Sequence, residues 1–123
     1  MPLAVGPIYV GDVGHHFDVA LERLDDDSDS ATYGEIVAFD LSASGPLGAP
    51  TALQYIFIAP PDNTRTVETP SLVSAAGGTM RWTNDATTDF ATAGRWRLQV
   101  VLTFATGEVF RSSVGTFTVE EAL

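Results

Sequence analysis

The chain has 123 residues with six Arg, no Lys, sixteen Asp and Glu, and a formal charge of -10. That length suits one domain with one core, and the absence of Cys excludes disulfides, thiolate zinc sites and a cysteine nucleophile. The acidic balance argues against partners that are nucleic acid or an anionic membrane, and 45% hydrophobic residues argue against disorder.

Residues 1–7 carry no cationic region and no long apolar run, so they read as a flexible segment and not a secretory signal. Gly11-Asp12-Val13-Gly14 reads as a turn, because it lacks the third Gly and the helix of a phosphate cradle. Over residues 16–22, Phe17, Val19 and Leu21 alternate with His16, Asp18, Ala20 and Glu22, the period of a strand with one buried face. Asp25-Asp26-Asp27-Ser28-Asp29-Ser30 opens a solvated acidic loop over about residues 25–34. Residues 35–41 and 51–58 read as the next strands. The second of these is apolar on both faces (Tyr55, Ile56, Phe57, Ile58), which places it centrally or against a partner. Pro60-Pro61-Asp62-Asn63 ends it in a reversal, with Asn63 able to turn left-handed, and residues 65–68 return.

After an Ala76-Gly77-Gly78 turn, residues 79–83 place Met80 and Trp82 on one face. Residues 84–93 suggest a turn and one helical turn anchored by Phe90. Gly94 opens the clearest strand. Trp96, Leu98, Val100, Leu102 and Phe104 point one way, and Arg95, Arg97, Gln99, Val101 and Thr103 the other. Gly107 supplies a positive φ for the turn into residues 109–113. Gly115 is expected to form a bulge before residues 116–120, where Phe117 and Val119 face inward. Turn signals at this spacing predict an all-β fold, an antiparallel sandwich or small barrel of roughly seven to nine strands, as a single domain over residues 1–123.

Few residues point to chemistry. Asp25, Asp27 and Asp29 alternate as calcium ligands do, but Ser30 and Ile36 stand where an EF-hand loop needs Gly and Glu. His15 and His16 point to opposite faces of a strand and do not share a metal. No Gly-x-Ser-x-Gly elbow is present. The reading is therefore of no enzyme, no catalytic residue, no metal ligand and no cofactor. Trp82 and Trp96 read as core anchors, which leaves Tyr33 and Tyr55 as the aromatics open to a carbohydrate. Arg95 and Arg97 either pair with carboxylates across the sheet or meet an acidic neighbour in an assembly. With Ile56, Ile58 and Val101 they form the expected interface set.

The segment Ala93-Gly94-Arg95-Trp96-Arg97-Leu98-Gln99, then Val100-Val101-Leu102-Thr103-Phe104, Gly107, Phe110 and Gly115-Thr116-Phe117-Thr118-Val119, resembles the small immunoglobulin-like domains of tailed phages. Among these is the N-terminal domain of the baseplate upper protein family. Tyr9-Val10-Gly11-Asp12-Val13-Gly14, Asp40-Leu41-Ser42, Pro60-Pro61-Asp62-Asn63-Thr64 and the strand from Gly78 to Trp82 are similar in the same order, so the likeness runs from about Tyr9 to Val119. Asn63 stands where Gly is commoner, and the acidic insertion is longer than the usual turn. The resemblance implies an antiparallel immunoglobulin-like β-sandwich of roughly seven to nine strands and a non-catalytic virion protein. It would dock on tail, baseplate, fibre or capsid proteins, in several copies of a symmetric assembly. Capsid decoration is the alternative within the fold, and a carbohydrate-binding module the alternative outside it. Because the chain stops at Leu123, just past the sandwich, a free-standing module is expected rather than a fibre anchor.

Overall fold

The computed structural model describes residues 7–122; the N-terminal segment expected over residues 1–7 lies, but for Pro7, outside them. Eleven strands form and no helix does among the described residues. They are β1 (Ile8–Tyr9), β2 (His16–Ala20), β3 (Glu22–Leu24), β4 (Ile36–Ala38), β5 (Pro50–Ala59), β6 (Thr64–Glu68), β7 (Ser71–Ser74), β8 (Thr79–Thr83), β9 (Gly94–Phe104), β10 (Val109–Arg111) and β11 (Gly115–Glu120). A six-stranded sheet runs β1-β11-β9-β5-β6 with β10 also on β9, a three-stranded sheet runs β2-β8-β7, and β3 and β4 form a hairpin of their own.

The all-β character and the alternating strands match the pattern in the sequence. Trp96, Leu98, Val100, Leu102 and Phe104 of β9 are all buried, and Arg95 and Arg97 are exposed. The count exceeds seven to nine because several strands are only two or three residues long. The sheets are not wholly antiparallel: β1 lies parallel to β11, Ile8 opposite Val119. The alternation over residues 16–22 holds, with Phe17, Val19 and Leu21 buried and His16, Asp18, Ala20 and Glu22 exposed, but the backbone changes partner at Leu21. Leu21 N–H donates to Gly78 O and its carbonyl accepts from Phe39 N–H, so β3 leaves β8 to pair with β4. The strand expected over residues 35–41 shortens to β4 for the same reason. No helical turn forms over residues 84–93; a turn carries Phe90 into the core instead. The change of facing expected at Gly115 occurs just before it: Arg111 pairs with Val101 but Gly115 with Leu98, one extra residue against β9, after which β11 pairs in unbroken register to Val119.

β9 organises the larger sheet. β5 covers one edge, and the other is shared, β11 pairing along its first half and β10 along its second. Ser112 fills the junction: Val100 N–H donates to its Oγ at 2.9 Å and its own N–H donates to Val100 O at 3.0 Å. The two larger sheets meet over an aromatic core centred on Phe17, whose ring lies 5.0 Å from Phe117, 5.4 Å from Phe57, 5.5 Å from Phe90 and 5.9 Å from Trp82. Each such ring removes roughly 150–250 Å² from water, worth about 25 cal/mol per Å², so this cluster is the main term holding the layers together.

Tyr55 belongs to that core and not to an exposed aromatic pair. It is 0% exposed, and its hydroxyl donates to Phe17 O at 3.0 Å and Met80 O at 3.3 Å, tying β5 to the opposite sheet. Burial pushes its phenol well above the usual value. Its neighbours Ile56 and Ile58 take the outer face, which is why β5 is apolar on both sides.

Candidate functional site

The register of the six-stranded sheet builds one outer face. Directly paired residues project to the same side of a sheet. Arg65 on β6 pairs with Ile58 on β5, Ile58 with Arg97 on β9, and Arg97 with Thr116 on β11. The next row is Val67, Ile56 and Gln99, and the one after it Gln54, Val101 and Arg111. Arg95, two residues before Arg97, pairs with Thr118. All five residues expected at an interface, Ile56, Ile58, Arg95, Arg97 and Val101, therefore project to this side of the sheet, but Val101 is buried there, 8% exposed, and offers no surface to a partner.

Three further members, Arg65, Val67 and Arg111, were missing from that expectation. Turn lengths carried the signal. The four-residue reversal from Pro60 to Asn63 sets Arg65 opposite Ile58 and Val67 opposite Ile56. The three-residue turn ending at Gly107, whose φ is +89°, sets Arg111 opposite Val101.

The chemistry of the face is aliphatic and cationic. Four of the six arginines stand on it, all exposed, beside half-buried Ile56 and Ile58 and exposed Val67. Among the described residues none of the four is in an ion pair, and Arg97 instead donates to the Asn63 Oδ1 at 3.0 Å. Asn63 has a φ of +57°, the left-handed turn its residue type suits. The expected cross-sheet pairing of Arg95 and Arg97 with carboxylates is thus absent, because β11 and β6 offer threonines, valine and arginine at the matching positions. Asp62 and Glu108 sit in the bounding turns, and Glu120 lies at the far end of β11.

The acidic loop is built differently from a cation site. Asp25 is 4% exposed, and its carboxylate accepts from the Thr32 and Ser30 hydroxyls and from Asp27 N–H. These donors hold its carboxyl below the ordinary carboxylate value. Asp25 N–H donates to Glu35 O and Gly34 N–H to Asp25 O, closing the loop across its base. The loop is folded around Asp25 rather than simply solvated. No three His, Asp or Glu side chains converge among the described residues. His15 Nε2 lies 2.9 Å from Asp12 and His16 Nδ1 lies 2.6 Å from Thr83 Oγ1, so the two imidazoles serve separate contacts. The turn of residues 11–14 is pinned by Asn84, 1% exposed, which accepts from His15 N–H and donates to Asp12 O.

Trp82 and Trp96 are buried in the aromatic core, and of the two tyrosines weighed for a carbohydrate only Tyr33 is exposed. Comparison with protein families, with curated proteins and with solved structures found no match for this chain.

Proposed function

We propose that this chain is an immunoglobulin-like structural module of a bacteriophage virion, docking on neighbouring tail, baseplate or fibre proteins through the outer face of its six-stranded sheet. The observation that carries the docking reading is the set of four arginines without an ion pair among the described residues, interleaved with half-buried Ile56 and Ile58 and exposed Val67, on a chain of charge -10. Aliphatic area supplies affinity, and guanidinium groups steer and orient an acidic partner. The two-layer fold and the motif order from Tyr9 to Val119 support the phage assignment by likeness alone. The role involves no catalytic step and no cofactor. Capsid decoration uses the same face and differs only in where the partner sits. A carbohydrate platform is weakened by the burial of Tyr55.

The test is cryo-electron microscopy of the intact particle from the source, with Arg95→Glu/Arg97→Glu as the paired variant. Density on the tail or fibre, lost in the variant, supports the docking role. Density on the head lattice moves the chain to capsid decoration. Absence from every particle ends the virion reading.

A further inference from the structure

The β3–β4 hairpin is the chemical complement of the arginine face. Residues 22–38 hold six carboxylates and one arginine. One side of the hairpin presents the cross-strand pair Leu24 and Ile36, 55% and 63% exposed, and Tyr33 in its loop is 60% exposed. An acidic rim around an exposed aliphatic pair thus stands on one part of the molecule, and a cationic rim around half-buried Ile56 and Ile58 and exposed Val67 on another. Both are preformed: the loop is folded round Asp25, and the face is a paired sheet. Docking them therefore orders few further groups.

We infer that a second copy of this chain covers the arginine face, seating its Leu24–Ile36 hairpin against Ile56, Ile58 and Val67 with its carboxylates toward Arg65 and Arg97. This deepens the docking role proposed above and rests on it, naming the partner as the same chain. The contact joins two different patches, so it is heterologous: each copy keeps one free face and one free hairpin, and association proceeds to a ring or an open filament. Salt weakens it, because exposed charges on both sides are screened beyond about 10 Å at 0.1 M.

The experiment is sedimentation equilibrium of the full chain from micromolar to millimolar concentration, at low and high salt. Self-association is expected at low salt, weakened at least tenfold by high salt. Arg97→Glu and Ile36→Glu should each weaken it at least tenfold with unchanged melting temperature, since both positions are exposed. If either melts lower, Arg97→Gln and Ile36→Ser repeat the test. The decisive step is mixing. The Arg97→Glu copy keeps its hairpin and the Ile36→Glu copy keeps its face, so together they should form a one-to-one complex that grows no further. A chain that stays monomeric at millimolar concentration and low salt overturns the inference, as does a mixture that fails to pair. If the chain is monomeric yet Arg95→Glu/Arg97→Glu still abolishes incorporation into particles, the docking role stands with a different acidic partner. Self-association by a chain absent from every particle has the reverse meaning.

Discussion

The outer faces of the two larger sheets treat the same residue type in opposite ways. On the three-stranded sheet Arg81 of β8 pairs with Asp18 of β2, Nε to Oδ1 at 2.6 Å and Nη2 to Oδ2 at 2.9 Å. On the six-stranded sheet four arginines face solvent with no carboxylate partner among the described residues. The first arrangement is a closed local contact of the kind cross-strand neighbours favour. The second leaves its charge exposed to solvent. Composition does not explain the difference, since acids outnumber arginines sixteen to six. Register does: β2 offers Asp18 where β8 has Arg81, and β6 and β11 offer Arg65, Thr116 and Thr118 instead.

The comparison is broken most completely by removing the wall behind both faces. Phe17→Ala deletes the ring at the centre of the aromatic core, and a loss of about 3–5 kcal/mol is expected in urea unfolding. Both sheets should loosen together, and hydrogen exchange should accelerate in β8 and β9 alike. Gly78→Ala acts more locally. Its φ is +67°, and a Cβ there would meet Phe39 O at 2.5 Å and Leu21 O at 2.9 Å, the atoms that root the β3–β4 hairpin. A cost of about 1–3 kcal/mol is expected, with faster exchange at Leu21 and Phe39 and little change in β9. Tyr55→Phe removes the hydroxyl that ties the two sheets and should cost about 1 kcal/mol, read in the same urea curves.

Acid titration sharpens the contrast further. Hydrogen bonds from Thr32 and Ser30 hold the folded Asp25 carboxyl below its unfolded value of 3.8. Its contribution is therefore complete above that value and is lost as pH falls through the lower, folded one. Glu68 has the opposite sign, because burial, with Asp89 and Asp85 nearby, raises its folded value above 4.5. Ionising it costs stability as pH rises through that raised value. Glu68→Gln should raise the melting temperature at pH 7 and leave it unchanged at pH 3; Asp25→Asn should lower it at pH 7, and by less as pH falls below 3.8. The smallest effects separate the faces themselves. Asp18→Asn should lower the melting temperature slightly, and Arg95→Gln, on the unpaired face, should leave it unchanged.

Much of the larger sheet was legible in the chain. β9 alternates without a break, so its buried and outward rows follow from period alone, and with them the side on which Arg95 and Arg97 stand. β5 is readable as a strand, but its pattern does not say on which side Tyr55 stands. Two apolar rows flank one backbone there, and only the sheet opposite, with its Phe17 and Met80 carbonyls, decides which row is inside. β7 carried no signal, since all four of its residues are exposed and nothing alternates. The β3–β4 hairpin was masked by apparent continuity from Phe17 through Leu21, because the switch of partners there is made by backbone bonds to Gly78 and Phe39. The acidic loop read as solvated because its order depends on one aspartate turning inward, which composition does not record.

The parallel pairing of β1 with β11 also bears on how the chain is made. Ile8, 0% exposed, sits beside Val119 near the opposite end of the sequence. During synthesis β1 emerges long before β11, with no ladder yet to join. Closing that long-range pair comes late, after β9 has gathered β5, β10 and β11. A nascent chain halted before Val119 would hold β1 with no strand to pair, and the arrival of β11 would seat β1 and cover the edge of β9 in one step.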